Sequence, residues 1–306
     1  MNERYCIAAG IVVYNPDKVR FEKCIQSLKQ QVSKIFVFDN SENPTRISDK
    51  SIVYLSEGGN KGIAHALNCI MQEAKNSGFQ WVVTMDQDSI VPIGLFEEFE
   101  TAIDRHRDVG IICPCVKDSR RPYEYEKKEL PEEFVEFCIT SASCTSVEAW
   151  EKCGKFDEWL FIDLVDNEFC KRIRLSGYKI LRLNKWVLDQ EFGKIIPKSE
   201  RKQKFWITVS KVLHNSNFAK FSYKKIVVPM RVYYTNRNII YVNKKLKKYD
   251  RVGYENYKCK GYLGFIISFM IPSILRAQNK RAIIKATVKG IRDGRKSQPV
   301  EWVAKK

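Results

Sequence analysis

The chain has 306 residues, and 44% of them are hydrophobic, which is enough for a substantial core and excludes a chain that is disordered throughout. Its 53 Lys and Arg outnumber 36 Asp and Glu, and the formal net charge of +17 favours acidic partners: nucleic acid, anionic lipid headgroups or phosphorylated substrates. Most of the ten cysteines sit in apolar runs, a pattern typical of buried free thiols in a reducing compartment rather than of a disulfide scaffold.

The first 113 residues alternate short apolar runs with amphipathic segments. The apolar runs predict buried strands over residues 5–13, 34–38, 52–55, 79–85 and 109–113. Helices are predicted over residues 19–31, after Gly62 and after Pro92. Repeated strand–helix–strand units predict an α/β fold with a mostly parallel sheet flanked by helices. Such sheets bind ligands at the carboxyl ends of their strands.

The segment Asp86-Gln87-Asp88-Ser89 is the sharpest motif, because it follows the strand predicted over residues 79–85 directly. Two Asp separated by one residue can bind a hard divalent cation, Mg²⁺ or Mn²⁺, which in turn neutralises a diphosphate. A plain surface turn is the alternative interpretation.

Two other polar segments lie at predicted strand ends or before helices. The Asp39 carboxylate can accept a hydrogen bond from the N–H of a pyrimidine ring, although an Asx turn explains the residue equally well. The loop at residues 58–62, with Asn60 and Lys61, resembles a phosphate-binding loop before a helix N-terminus, or a simple turn with an N-cap. It matches neither a Walker A loop nor a G-x-G-x-x-G fingerprint.

The second half of the chain contains an acidic cluster among apolar neighbours. Asp163, Asp166 and Glu168 fall within six residues, next to Phe161. Apolar surroundings raise the proton affinity of a carboxylate, which suits a general base. First-turn acids that favour the helix dipole are the alternative. Around the cluster we predict a charged loop at 117–133, a strand at 134–140, a helix at 169–175 and a strand at 178–183. The histidines are interpreted as structural.

The pattern from about Ile195 onward is helical, basic and aromatic. Residues 194–260 hold 18 Lys and Arg but only three acids. We therefore expect a catalytic domain over residues 1–195 and a basic helical region over 196–306 that contacts a membrane or an acceptor. The apolar stretch 262–275 is shorter than the ~20 residues needed to span a bilayer, and no signal peptide is predicted.

Taken together, the motifs resemble family 2 glycosyltransferases of the GT-A fold, and within them the bacterial rhamnosyltransferase-like group. The resemblance extends over roughly residues 5–240. The segments that carry it are Ile11-Val12-Val13-Tyr14-Asn15-Pro16, Asp39-Asn40-Ser41, Asn60-Lys61-Gly62-Ile63-Ala64, Met85-Asp86-Gln87-Asp88-Ser89, Phe156-Asp157-Glu158, Phe161-Ile162-Asp163-Leu164-Val165-Asp166 and Arg231-Val232-Tyr233-Tyr234-Thr235-Asn236-Arg237-Asn238.

This resemblance implies roles for individual residues. Asp166 would be the general base of an inverting reaction, and Asp88 would bind Mg²⁺ or Mn²⁺ on the diphosphate. Asp163 and Arg172 would contact the acceptor or the sugar. The residues implied in donor binding are Val13 and Tyr14 beside the nucleotide, Asp39 at the base, Asp86 at the ribose or sugar, and Asn60, Lys61 and Arg237.

Two departures from the family pattern stand out. Many relatives have Glu-Asp where this chain has Val165-Asp166, a substitution shared with the rhamnosyltransferase-like group. Many also carry a His before a Gly where this chain has Gln190-Glu191-Phe192-Gly193. A His that helps to bind metal or diphosphate is therefore missing, or is replaced by Gln190 or Glu191.

The expected activity is transfer of rhamnose from dTDP-rhamnose to a lipid-linked or growing bacterial surface polysaccharide. We expect the enzyme to be cytoplasmic and peripheral on an anionic membrane. UDP-galactofuranose or UDP-glucose is an alternative donor. A sugar-phosphate nucleotidyltransferase should show a Gly-rich signature with Arg or Lys after the first strand, and Tyr14-Asn15-Pro16-Asp17 offers none. Nucleic acid is not an expected partner, because no helix-turn-helix or base-stacking signature is present.

Overall fold

In the computed structural model, the protein is described at residues 6–44, 47, 49–121, 128–191, 193–214, 218–249, 252–257, 259 and 261–304. The chain forms two compact units. The first contains residues 1–115, 129–188 and 302–306, and the second contains residues 116–128 and 189–301. The functional division expected at residue 195 stays a prediction.

An eight-stranded sheet has the strand order β3-β2-β1-β4-β7-β5-β8-β6. Strands β1 to β4 are mutually parallel, while β7 runs antiparallel to both β4 and β5, and β6 antiparallel to β8. The predicted α/β fold with a mostly parallel sheet is confirmed. The strands are β1 (Ile7–Val13), β2 (Ile35–Asp39), β3 (Ile52–Ser56), β4 (Trp81–Asp86), β5 (Val109–Lys117), β6 (Glu132–Phe134), β7 (Ser143–Ser146) and β8 (Lys179–Asp189).

Among the described residues of the first unit, five α-helices accompany this sheet. Helix α2 packs against β1 and β2 through an apolar face that includes Leu67, Ile70 and Met71. Gly10 makes this close packing possible, because a Cβ at that position would collide with the Ile70 side chain. The helices are α1 (Lys18–Lys29), α2 (Ile63–Asn76), α3 (Leu95–Arg105), α4 (Val147–Lys152) and α5 (Val165–Leu175).

The structure corrects two predicted elements. The strand expected over residues 134–140 ends at Phe134, and the next strand is β7. Local side-chain bonds replace the ladder there: the Ser143 hydroxyl donates to the Ile139 carbonyl, and Ala142 has a left-handed backbone with φ of 57°. The helix expected from residue 169 begins at Val165. Tyr5, the first residue of the first predicted strand, and residues 122–127 of the predicted loop lie outside the described residues.

The second unit is mainly helical, but it also contains a two-stranded antiparallel sheet that periodicity did not predict. Its long helices α7 and α10 pack closely where Gly290 and Gly294 meet the Tyr233 and Arg237 carbonyls. Among the described residues, none of the helices combines the length and apolar character needed to cross a membrane. The elements are β9 (Ile195–Pro197), α6 (Glu200–Val212), a 3₁₀ turn (Ala219–Ser222), β10 (Tyr223–Lys225), α7 (Pro229–Lys245), 3₁₀ turns (Lys247–Tyr249, Val252–Tyr257), α8 (Tyr262–Phe265), a π turn (Ile266–Met270), α9 (Ile271–Arg276) and α10 (Lys280–Lys296).

Candidate active site

The carboxyl ends of the central parallel strands meet at one edge of the sheet. Val13 at the end of β1 is in register with Asp39 on β2, and Val12 is in register with Asp86 on β4. The register therefore brings predicted donor-binding residues from three separate segments to one edge, where parallel sheets bind their ligands.

Asp39 is buried, and its carboxylate is held from two sides. One oxygen accepts a hydrogen bond of 2.8 Å from the Ser41 N–H, and the other accepts one from the Tyr54 hydroxyl. The first bond is the Asx turn that the sequence left open as an alternative. The turn does not exclude a role in binding, because Asp39 also lines the adjacent cleft.

Asn40 and Ser41 connect the strand edge to two loops. The Asn40 side chain accepts from the Lys61 N–H at 3.0 Å and donates to the Gly62 carbonyl at 3.2 Å. The Ser41 hydroxyl accepts from the Asn15 N–H at 2.8 Å. These bonds fix the loop that carries Asn60 and Lys61, whose own side chains are exposed. The predicted donor loop is thereby attached to the end of β2.

Gln87 holds the segment after β4 against the segment after β1. Its side-chain oxygen accepts from the Tyr14 N–H at 2.8 Å, and its amide nitrogen donates to the Tyr14 carbonyl at 3.3 Å. The Tyr14 side chain remains half exposed. Gln87, between the two aspartates, therefore fixes the backbone of Tyr14 without burying its ring.

The cleft itself has a volume of about 520 Å³ and lies beside the ends of β1 and β2. This size falls within the range of small-molecule sites. Val13, Phe21 and Ile25 supply apolar wall, and Asp39 and Ser41 supply polar groups. A cleft with an apolar wall and a few fixed polar groups can bind a nucleoside, whose base has apolar faces and polar edges.

Asp86 and Asp88 form the acidic pair at the end of β4. The Asp88 side chain is 41% exposed, and its carboxylate lies 3.8 Å from the Arg20 guanidinium, which is itself half exposed. Burial, followed by the charges of Asp86 and Asp88, raises the pKa of the Cys24 thiol to about 12. The effect on Cys24 shows that the negative charges of Asp86 and Asp88 lie close to each other. Their carboxylate oxygens are the ligands that Mg²⁺ and Mn²⁺ prefer. The residues therefore fit the metal that the motif implies.

The acidic cluster begins with an unusual backbone. Asp163 and Leu164 both adopt left-handed conformations, with φ of 67° and 62°, immediately before α5. Non-glycine residues in this region are strained, and such strain concentrates at functional sites. The double kink turns the chain directly into the helix whose second residue is Asp166.

Asp166 lies in a largely apolar pocket beside β4, with Thr84, Phe156 and Phe169 among the lining residues. Burial raises the pKa of Asp166 to about 6, and a 2.9 Å hydrogen bond from the Asn167 N–H offsets only part of this effect. A carboxyl group with a pKa near 6 can accept a proton at neutral pH, and the role of Asp166 as general base stays a prediction.

Gly62 connects the predicted donor loop to the segment before the acidic cluster. A Cβ at Gly62 would lie 2.8 Å from the Phe161 ring and from the Phe161 carbonyl, and φ at this glycine is 93°. The same carbonyl accepts from the Ile63 N–H at 2.8 Å. The loop of Asn60 and Lys61 and the segment leading to Asp166 are therefore in direct contact.

Arg172 occupies a different environment from the one predicted. It is 1% exposed, and its guanidinium forms a two-pronged bond to Glu168 at 2.6 and 2.7 Å. The same group donates to the carbonyls of Cys153 and Lys155. This burial argues against the predicted contact with acceptor or sugar and favours a structural role in holding α5.

Three further predicted residues belong to the second unit. Arg237 lies on α7, where its guanidinium packs over the Tyr234 ring at 4.7 Å, and its donor contact stays a prediction. At the position of the family His, Gln190 is buried and Glu191 is half exposed beside Arg120, at 3.5 Å. Phe192 lies outside the described residues.

Asn40, Ser41 and Gln87 fix the loops of the site, but the sequence did not predict these roles. Asn40 and Ser41 follow a predicted strand, and Gln87 stands between the two aspartates. Their position at strand ends was the available signal. Their hydrogen-bond partners could not be predicted from local sequence, because the bonds from Asn40 to Gly62 and from Gln87 to Tyr14 span 22 and 73 residues.

Comparisons with known proteins agree with this geometry. The model of Glycosyl transferase family 2 matches residues 9–169. The dTDP-rhamnosyl transferase RfbF of Shigella flexneri is 31% identical over 194 residues, which cover 57% of this chain and 64% of that protein. The chain thus spans less than two thirds of this curated relative.

A solved structure shows the same fold. The crystal structure of GalNAc-T7 with UDP, GalNAc and Mn²⁺ superposes with a TM-score of 0.53 at 13% identity, over 89% of this chain and 57% of that one. At this identity the likeness concerns the GT-A fold alone. Because the family model spans more than half of the sequence and includes both acidic motifs, the chain belongs to Glycosyl transferase family 2.

Proposed function

We propose that the protein is an inverting, metal-dependent glycosyltransferase that transfers rhamnose from dTDP-rhamnose to a lipid-linked saccharide. The main support for the proposal is the environment of Asp166. Its carboxyl group, with a pKa near 6, lies beside Thr84 on β4, the strand that ends at Asp86 and is followed by Asp88. A base and a diphosphate-binding pair on neighbouring elements are the parts that glycosyl transfer needs.

Asp166 would remove the proton from the acceptor hydroxyl as that oxygen attacks the anomeric carbon. Attack from the face opposite the leaving nucleoside diphosphate inverts the configuration at this carbon. Asp163, three residues earlier, would hold acceptor or sugar hydroxyls. The apolar surroundings of Asp166 keep its carboxylate poorly solvated, and this raises its affinity for the proton.

Asp88 would hold Mg²⁺ or Mn²⁺, with Asp86 next to the ribose or sugar. When bound, such a cation supplies positive charge to the leaving diphosphate. Asn60 and Lys61 would contact the same donor, since Asn40 fixes their loop at the sheet edge. Val13 and Asp39, which line the 520 Å³ cleft, would hold the nucleoside, and Tyr14, the residue after Val13, would contact it as well.

The choice of donor rests on the 31% identity to a dTDP-rhamnosyl transferase. UDP-galactofuranose and UDP-glucose are the alternative donors. Thermal stabilisation by a panel of nucleotide sugars, each with Mn²⁺, tests the choice. We expect dTDP-rhamnose to stabilise most, because bound ligand raises stability with concentration over Kd. Stronger stabilisation by either UDP-sugar would show that this sugar nucleotide is the donor, and the proposed glycosyl transfer would still hold.

The membrane part of the proposal rests on the second unit. On the helical run Tyr262–Arg276, four apolar side chains spaced four apart are 46–71% exposed: Leu263, Ile267, Ile271 and Leu275. On α10, exposed Ile284 and Val288 alternate with exposed Arg281, Lys285 and Lys289. Exposed apolar residues flanked by cations are typical of helices that lie in a membrane interface. We assign this surface to an anionic bilayer carrying the lipid-linked acceptor.

A further inference from the structure

A cluster of soft and hard ligand atoms lies outside the proposed donor site, at the start of α2. His65 and Cys69 are one helical turn apart and point to the same side as Glu57, which follows β3. The His65 Nε2 lies 3.2 Å from Glu57 Oε1 and 3.4 Å from Cys69 Sγ, and the sulfur lies 4.0 Å from the same carboxylate oxygen. Three potential ligand atoms therefore converge on one point.

The distances match those of a tetrahedral metal site. Zinc binds nitrogen and oxygen at about 2.0 Å and sulfur at about 2.3 Å, so tetrahedral ligand atoms stand about 3.3 to 3.6 Å apart. Two of the three observed separations fall close to this range, and the third is about 0.4 Å longer. A small movement of the Glu57 side chain, which is 47% exposed, would close the difference.

The other ring nitrogen of His65 is held as in zinc sites. Its Nδ1 lies 2.8 Å from Glu158 Oε2, and the second Glu158 oxygen accepts from the Asn68 amide at 2.8 Å. Asn68 in turn accepts from the Trp150 indole and the Phe156 N–H, so the carboxylate has a rigid support. A carboxylate that accepts the Nδ1–H of a histidine fixes the tautomer in which Nε2 has a free lone pair.

In that tautomer, the Nε2 lone pair faces a carboxylate oxygen at 3.2 Å, and two acceptors repel each other unless a cation stands between them. We propose that Glu57, His65 and Cys69 bind one zinc ion, with water as the fourth ligand and Glu158 as the carboxylate that orients His65. Imidazole and thiol ligands favour zinc over Mg²⁺ or Mn²⁺, which distinguishes this site from Asp86 and Asp88. A cavity of about 430 Å³, lined by Glu57, Cys69 and Glu158, gives access to the site.

A proton is the alternative to the metal. Burial lowers the pKa of His65, but the hydrogen bonds and charges of Glu158 and Glu57 outweigh it and raise the pKa overall. A protonated imidazole would bridge the two carboxylates and would not require Cys69. Dependence of binding on the Cys69 sulfur therefore separates the two interpretations.

The position of the site also suggests what zinc would do. Glu57 and His65 stand on either side of the loop at residues 58–62, so one ion would tether both of its ends. On the proposed function, this loop carries Asn60 and Lys61 to the donor. Zinc would therefore be structural, and it would reduce the motion of a substrate-binding loop.

The test is calorimetric titration of metal-free full-length protein with zinc alone, in a buffer that contains excess Mg²⁺. We expect one equivalent to bind, and cobalt to give the thiolate-to-metal absorption band of a sulfur ligand. Cys69→Ala and His65→Ala should abolish this site, and Glu158→Gln should weaken binding about 10- to 100-fold. Cys6→Ala, which removes an exposed cysteine elsewhere, is the matched control and should bind normally.

Hydrogen exchange gives a readout that is independent of catalysis. Zinc should slow exchange of the amides at residues 58–62 in the wild type but not in Cys69→Ala, with circular dichroism showing that the variant is folded. Asp88→Asn should keep full zinc binding, so failure of the transferase proposal and failure of this one are distinguishable. The absence of saturable binding, or equal binding by wild type and Cys69→Ala, would overturn the zinc site.

Discussion

Asp163 and Asp166 are three residues apart, but the backbone gives them different surroundings. Asp163 occupies a left-handed kink, whereas Asp166 is the second residue of α5 and faces an apolar pocket. Burial raises the pKa of Asp166 to about 6. The pocket and the raised pKa support Asp166 as the general base, and this assignment stays a prediction.

We expect Asp166→Asn to lower kcat by at least ~100-fold with little change in donor affinity, because the amide cannot accept the proton. In the wild type, kcat/KM should rise with pH through about 6 and then level off, as the carboxyl group loses its proton. Steady-state kinetics and calorimetry with the donor check both points. Near-normal turnover in Asp166→Asn together with an inactive Asp163→Asn would assign the base to Asp163.

Stability provides a second readout for the same substitution. The folded pKa of Asp166 is raised, so its contribution to stability is fully present below the unfolded pKa near 4 and is lost as pH rises through about 6. At pH 8 the half-buried carboxylate is therefore unfavourable, and Asp166→Asn should increase the melting temperature there. The increase should vanish at pH 4. A variant that is inactive and destabilised at pH 8 would instead indicate a structural role.

The proposed metal site leads to a separate expectation for Asp88. Its partly exposed carboxylate contributes little to the fold, so Asp88→Asn should keep the wild-type melting temperature and lose most activity. EDTA should inactivate the wild type, and Mn²⁺ or Mg²⁺ should restore it. Asp17→Asn, at the N-cap of α1, is a control that changes a carboxylate without touching the pair. Activity that survives both EDTA and Asp88→Asn would exclude a metal at this position.

Among the secondary-structure elements, α5 depends most on one buried interaction. The Glu168–Arg172 pair lies one turn apart on this helix, and Arg172 also binds carbonyls that follow α4. A buried ion pair fixes geometry more than it adds stability, but removing one partner leaves an uncompensated charge. The pair thus determines how the helix carrying Asp166 sits in the first unit.

We expect Arg172→Met to lower the free energy of unfolding by about 3–5 kcal/mol, because Glu168 is left buried without its partner. The double variant Glu168→Met/Arg172→Met should recover a large part of this loss. Denaturant unfolding measures both, with the more exposed Arg174→Met as control. The double variant also tests the original prediction for Arg172: if it is stable but cannot use the acceptor, Arg172 has a role in binding after all.

At the level of the complete protein, charge and exposed apolar surface coincide in the second unit. Each well-placed Lys or Arg contributes about 1 kcal/mol to binding an anionic surface, and salt screens this attraction. The apolar side chains at 263, 267, 271 and 275 would add contacts that salt does not weaken. Membrane binding should therefore have an electrostatic part and an apolar part, and high salt should reverse only the electrostatic part.

We expect the protein to float with phosphatidylglycerol vesicles at low salt and to be partly released at high salt. Leu263→Glu/Ile267→Glu should remove the part that resists salt, and Leu130→Glu, an equally exposed leucine in the first unit, should not. Equal flotation of all three proteins would exclude this surface as the membrane contact. Absence of flotation at low ionic strength would exclude membrane association by charge.

Much of the fold was determined by the sequence itself. Apolar runs separated by amphipathic helices produce parallel strands, and parallel strands present their carboxyl ends at one edge. Because Val13, Asp39 and Asp86 stand at the ends of these predicted strands, the pattern places them at the same edge of the sheet. Runs of apolar residues carry this information locally, which is why β1 to β4 were predicted within a few residues of their observed limits.

Only the tertiary structure decided the environment of each side chain. The burial of Arg172, the bonds of Asn40 to the loop at 61–62, and the convergence of Glu57, His65 and Cys69 depend on packing between separate elements. His65 and the acidic residues look alike in sequence whether they are solvated, paired or ligand-binding. Their chemistry is set by burial and by neighbours that are distant along the chain, and sequence patterns of short period do not encode those contacts.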